Sequence, residues 1–104
     1  TASAWGERLA TLRAEGRRVA LWGAGSKGVS FLNTVVGANE IECVIDVNPR
    51  KHDMHVAGTG QRIVGPEAGA AYRPEVVLLM NPVYEAEVAA QLQSSSVAAE
   101  IRVA

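Results

Sequence analysis

The sequence predicts a small α/β domain, a three-layer sandwich with a mainly parallel sheet between two layers of helices. Three observations carry that expectation. Short apolar runs at residues 19–22, 41–45 and 75–80 have the length and near-continuous hydrophobicity of strands buried on both faces. Between them lie stretches whose apolar residues recur at helical spacing, so that strand and helix alternate along the chain. Each intervening segment is long enough to carry the chain back beside the preceding strand in the same direction.

Taken in order, Ser3 is placed to cap a helix over about residues 4–15, its hydroxyl accepting from a first-turn amide. Trp5, Leu9 and Leu12 form one apolar stripe. Gly16 supplies a left-handed stop, and Arg17 and Arg18 stand where the helix dipole favours cations. The strand at 19–22 runs into Gly23-Ala-Gly25-Ser-Lys-Gly28, after which Val29, Leu32 and Val36 keep helical spacing until Gly37. Residues 41–45 form the second strand, ended by Asp46-Val-Asn-Pro49. Residues 50–60 are irregular, a loop or short hairpin, and 62–64 make a brief strand. Pro66 opens a helix that Arg73-Pro74 breaks. The third strong strand follows at 75–80, then a helix over about 84–93 with Val88 and Leu92 toward the sheet. Serines 94–96 end it, and the alternation across 97–103 makes a last strand at a sheet edge.

With 104 residues there is room for one core, so residues 1–104 are expected to form a single domain. The numbering opens at Thr1 without an initiator Met and few acids or bases look placed for chemistry, which points to a module excised from a larger protein. A formal net charge of −1 gives no pull toward nucleic acid or anionic membrane. No apolar stretch has spanning length and no secretory profile opens the chain, so a cytoplasmic setting is expected. Cys43, the single cysteine, sits within a strand, where a nucleophile would lack both a base and an accessible electropositive setting. His52 and His55 have no thiol partners at zinc-ligand spacing; a solvated loop is the expectation, with no metal site.

The glycine turn carries the chemistry. In Gly23-x-Gly25-x-x-Gly28 the first glycine permits the tight turn, the second lets a pyrophosphate approach the backbone, and the third lets helix and strand pack closely. This is the strand–turn–helix unit of a Rossmann-like domain. Exposed amides and the helix dipole favour an anion there, Ser26 lies on the same turn, and Lys27 adds a cation. Asp46, at the end of the second strand, stands roughly where an acid binds a ribose hydroxyl. The same glycines equally serve a tight corner with no ligand, Asp46 then being a polar strand end. Asp46, Asn48, Lys51, Asn81 and Tyr84 all follow carboxyl ends of parallel strands, so they should converge on the edge that holds the turn.

Four segments in fixed order resemble the C-terminal domain of S-adenosylmethionine-dependent C-methyltransferases acting on nucleotide-linked deoxysugars. They are Val19-Ala-Leu-Trp-Gly-Ala-Gly-Ser-Lys-Gly28, Val44-Ile-Asp-Val-Asn-Pro-Arg-Lys51, Val56-Ala-Gly-Thr-Gly60 with Ile63-Val-Gly-Pro-Glu67, and Arg73-Pro-Glu-Val-Val-Leu-Leu-Met-Asn-Pro-Val-Tyr84. The resemblance implies a parent with an N-terminal zinc-binding region, a middle domain holding S-adenosylmethionine, and this domain at the end. It implies that no catalytic residue and no cofactor belong to this fragment. Its partners would be the methyltransferase domain of the same polypeptide and a nucleotide-sugar substrate. Loops at 48–51, 58–60 (with Thr59) and 81–84 would line a cleft shared between domains. Trp22 precedes Gly23 where a methyltransferase cofactor loop usually carries an acid, and Lys27 takes the place of that loop's third glycine. Two other readings stay open: a nucleotide- or NAD-binding module using the turn directly, and a purely structural interaction domain.

Overall fold

The alternation of side chains along each strand decides which helix covers which face. The computed structural model describes residues 2–104. In β1 (Val19–Trp22), Val19 and Leu21 join one apolar cluster while Ala20 and Trp22 join another. β2 (Cys43–Ile45) divides the same way, Val44 to the first cluster and Cys43 and Ile45 to the second. In β4 (Val76–Leu79), Val76 and Leu78 face the first cluster and Val77 and Leu79 the second. Such runs must be apolar at every position, because both faces are buried.

Helices α1 (Ala2–Ala14) and α2 (Ser26–Thr34) cover the first face through Leu9, Leu12 and Leu32, with Trp5 set edge-on to Phe31 at 5.8 Å. α3 (Pro66–Ala71) and α4 (Glu85–Ser94) cover the second through Ala70, Val88 and Leu92. Three layers result. The strands, with β3 (Ile63–Val64) and β5 (Glu100–Val103), form one sheet in the order β3-β2-β1-β4-β5, and every pairing is parallel. β5 lies at an edge, where the charged Glu100 and Arg102 are at least partly exposed, which suits an unpaired strand flank.

Several boundaries differ from the sequence expectation. Ala2 is already helical, so Ser3 lies inside the first turn and lacks the extended backbone a cap requires. Val36 is 83% exposed while Val35 is buried. The cause is local: α2 stops at Thr34, Val35 is extended, and residue 35 instead of 36 returns to the core. The region 50–60 contains a three-residue 3-10 turn at Pro49–Lys51 and then a tight reversal closed by an antiparallel bridge between His55 and Arg62. Among the described residues no helix is long and apolar enough to cross a membrane.

Helix α2 lies against β1 because Gly28 has no side chain. A Cβ there would stand 2.0 Å from the Gly23 carbonyl oxygen and 3.4 Å from Leu21 Cδ2. Gly23 itself has φ +110, a conformation L side chains rarely adopt. Gly25 is different. Its φ is −80 and a Cβ would meet nothing within 4 Å. Gly28→Ala should therefore cost about 1–3 kcal/mol or more in chemical denaturation, since backbone must move. Gly25→Ser should be neutral or slightly stabilising, since Ser is at least as good an N-cap as Gly.

Candidate functional site

The strand order reverses at β1, whose neighbours are β2 on one side and β4 on the other. In open α/β sheets the carboxyl edge at such a reversal leaves a crevice, because the following connections part to opposite faces. A cleft of about 570 Å³ lies there. Trp22, Leu79 and Met80 form its apolar floor. The glycine turn and first turn of α2 make one wall, from the first helical layer. Pro82, Tyr84 and α4 make the other, from the second layer. Asp46, Val47 and Lys51 close the β2 end.

The turn is held from the side as well as from below. One Asp46 carboxylate oxygen accepts from the Ala24 amide at 2.8 Å, and the other accepts from the Asn48 amide at 2.8 Å. Lys51 Nζ donates to the Ala24 carbonyl at 3.1 Å and lies 4.0 Å from Asp46. His52 Nε2 lies 2.8 Å from the Asp46 main-chain oxygen. These contacts fix the position of the α2 N-terminus. Gly25 caps α2 with no side-chain acceptor, so the first-turn amides keep their donors turned to the cleft end of the helix. Together with the helix dipole they suit an anion.

Nine of the eleven site residues expected from the sequence line this cleft: Gly23, Gly25, Ser26, Lys27, Gly28, Asp46, Lys51, Asn81 and Tyr84. Asn48 and Thr59 do not. Asn48 accepts from the Arg50 amide and caps the turn at Pro49–Lys51, an architectural use of the side chain. Thr59 bonds to Gln61 within the tight reversal, and the adjoining Ala57 carbonyl is tied to Asn33 of α2. Asn81 also caps, accepting from the Val83 amide at 3.1 Å, yet it remains at the cleft. Lys27 Nζ donates to the Ala104 carbonyl at 2.8 Å, reaching across to the chain after β5.

The cleft also holds residues the sequence reading missed. Trp22, Leu79 and Met80 end strands whose apolar runs were read only as core. Glu87, Val88 and Gln91 come from α4. Glu87 and Gln91 are exposed, four residues apart, and in sequence resemble any solvated helix face. His52, expected on a solvated loop, is instead half-buried against the Asp46 main chain. Cys43 lies in β2, where burial pushes its thiol up to about 11. His55 is exposed, and among the described residues no group of three or more His, Cys, Asp or Glu is arranged to hold a metal.

Residues 3–100 match the family model described as C-methyltransferase C-terminal domain. Among solved structures the chain is similar to the crystal structure of RSP, a Rex-family repressor, with a TM-score of 0.56 and 12% sequence identity. That match covers 89% of this chain and 56% of the other, so this chain spans just over half the length of that relative. At such identity the likeness speaks to the α/β fold alone. A comparison with curated proteins returns no match.

The bond from Asp46 to the turn makes a direct prediction. Asp46→Asn keeps the shape but sets an amide N–H₂ against one of two backbone donors and removes the charge from the other. The change should lower stability by about 1.5–3 kcal/mol in urea denaturation at neutral pH.

Proposed function

Because the chain belongs to the C-methyltransferase C-terminal domain family, we propose that it is the substrate-supporting and interdomain-packing domain of an S-adenosylmethionine-dependent enzyme that methylates a carbon of a nucleotide-linked deoxysugar. The observation that carries this reading is the cleft at the strand reversal, with a helix N-terminus that no side chain caps at Gly25 on one side and an apolar floor beneath. A few polar groups set over an apolar floor is the usual make-up of a small-molecule site. The diphosphate of the substrate would lie on the amides of residues 26–28, with Lys27 and Lys51 as nearby cations.

The same groups fit S-adenosylmethionine poorly. That cofactor brings a cationic sulfonium and a ribose diol, whereas the turn offers amide donors and two lysines. Each Asp46 oxygen accepts a backbone amide, so the carboxylate has the structural task of holding the turn. We therefore assign cofactor and general base to the methyltransferase domain of the same polypeptide, in a cytoplasmic setting. Val47, Val83, Tyr84 and Val103 follow or end strands at the carboxyl edge of the sheet and are 42–79% exposed. Such a concentration of apolar surface near a cleft suits packing against another domain.

Calorimetry with uridine diphosphate, thymidine diphosphate, NAD and S-adenosylmethionine tests the reading, using the chain and its Gly25→Asp variant. Asp is a good N-cap and a Cβ at this position meets nothing, so the variant folds while its carboxylate occupies and repels from the anion position. The nucleoside diphosphates should bind, S-adenosylmethionine should be silent, and Gly25→Asp should weaken binding at least tenfold. Tighter binding of NAD or S-adenosylmethionine than of either diphosphate would overturn the assignment, as would silence toward all four.

A further inference from the structure

The two walls of the cleft differ in chemistry. On the α2 side stand backbone donors, Lys27 and Lys51. The one carboxylate there, Asp46, is occupied by the Ala24 and Asn48 amides with Lys51 beside it, whereas among the described residues the carboxylate on the other wall has no such partners. On the α4 side stand Glu87 and Gln91, with Tyr84 at the start of the helix. A carboxylate is out of place in a site whose ligand is only an anion, because like charges repel across a cleft of this size. It suits a ligand that is anionic at one end and rich in hydroxyl donors at the other.

From this polarity we infer that Glu87 and Gln91 are specificity-determining residues that accept hydrogen bonds from the hydroxyls of a sugar whose diphosphate lies on the glycine turn. The inference rests on the nucleotide-sugar reading above. The spacing supports the sugar over the base as the group facing α4. Residues four apart on a helix present side chains about 5–6 Å apart at Cβ. A carboxylate and an amide so placed offer several acceptors side by side, matching neighbouring hydroxyls on a pyranose ring, whereas a pyrimidine offers a single ring N–H. Val88 is buried between them in sequence and packs toward the sheet, which fixes the rotation of α4 and so directs both side chains. Tyr84, 50% exposed at the cleft, adds an aromatic face on the same wall.

The test compares uridine diphosphate with uridine diphosphate glucose, and thymidine diphosphate with its glucose conjugate, by calorimetry. The proteins are the unaltered chain, Glu87→Gln and Gln91→Ala. Both positions are exposed on a helix and both replacements are good helix formers, so the fold should be kept; thermal unfolding checks this. The expected result is that each variant weakens the sugar conjugates by about fivefold or more relative to the bare diphosphates, with Gln91→Ala leaving the bare diphosphates within about twofold and Glu87→Gln, which removes a negative charge, not weakening them. If Glu87 acted only as a repelling charge, Glu87→Gln would instead strengthen all four ligands alike. That result overturns the inference, as does equal weakening of diphosphates and conjugates, which would put the base on α4. Failure of the bare diphosphates to bind the unaltered chain would instead count against the underlying substrate reading, so the two failures are distinguishable.

Discussion

Everything at the carboxyl edge depends on the absence of one carbon atom. Gly28 faces the Gly23 carbonyl so closely that a Cβ would lie 2.0 Å from its oxygen. With only hydrogen there, α2 lies directly on β1 and its N-terminus comes to rest at the strand's end. That places Ala24 within reach of the Asp46 carboxylate, and the bond of 2.8 Å ties the turn to β2. Lys51 then bonds the Ala24 carbonyl from the same side. Preorganised amides at a helix start result from packing below and hydrogen bonding beside, before any ligand enters.

The three glycines of the turn consequently fall into two kinds. Gly23 is required by its positive φ and Gly28 by close approach, so the fold explains both. Nothing in the fold requires Gly25, whose φ any residue can adopt and whose missing Cβ would point into open space. A glycine that packing does not need, at the cap of a helix facing a cleft, is what close approach of a ligand to backbone would leave behind. Ser26 and Lys27 follow it, the latter donating to the Ala104 carbonyl.

The strand–turn–helix unit and the layer assignment were legible in sequence because burial on both faces forces continuous apolar runs, and glycines mark tight corners. The parts that were not legible share a cause: one residue type serves several uses. Asp46 in sequence suits either a ribose acceptor or a polar strand end, and its bonds to two backbone amides, a structural task, carry no mark in the sequence. Asn48 shares with Asn81 the Asn-Pro pattern of a cap, and of the two only Asn81 lies against the cleft. Val36 kept helical spacing, but the helix ended two residues earlier and Val35 took the core position. Glu87 and Gln91 carry no pattern of their own. The spacing of Val88 and Leu92 predicts which face of α4 meets the sheet, but that α4 borders the cleft is a tertiary fact with no local signature.

The central claim is that a nucleoside diphosphate lies on the turn at residues 25–28. Amide chemical shifts of the isotope-labelled chain, followed as uridine diphosphate is added, test it most directly. The account predicts that Gly25, Ser26, Lys27 and Gly28 move most, with Gly16, Arg17 and Arg18 at the opposite edge of the sheet unmoved. Largest shifts around Arg17 and Arg18, with the glycine turn unchanged, would contradict it.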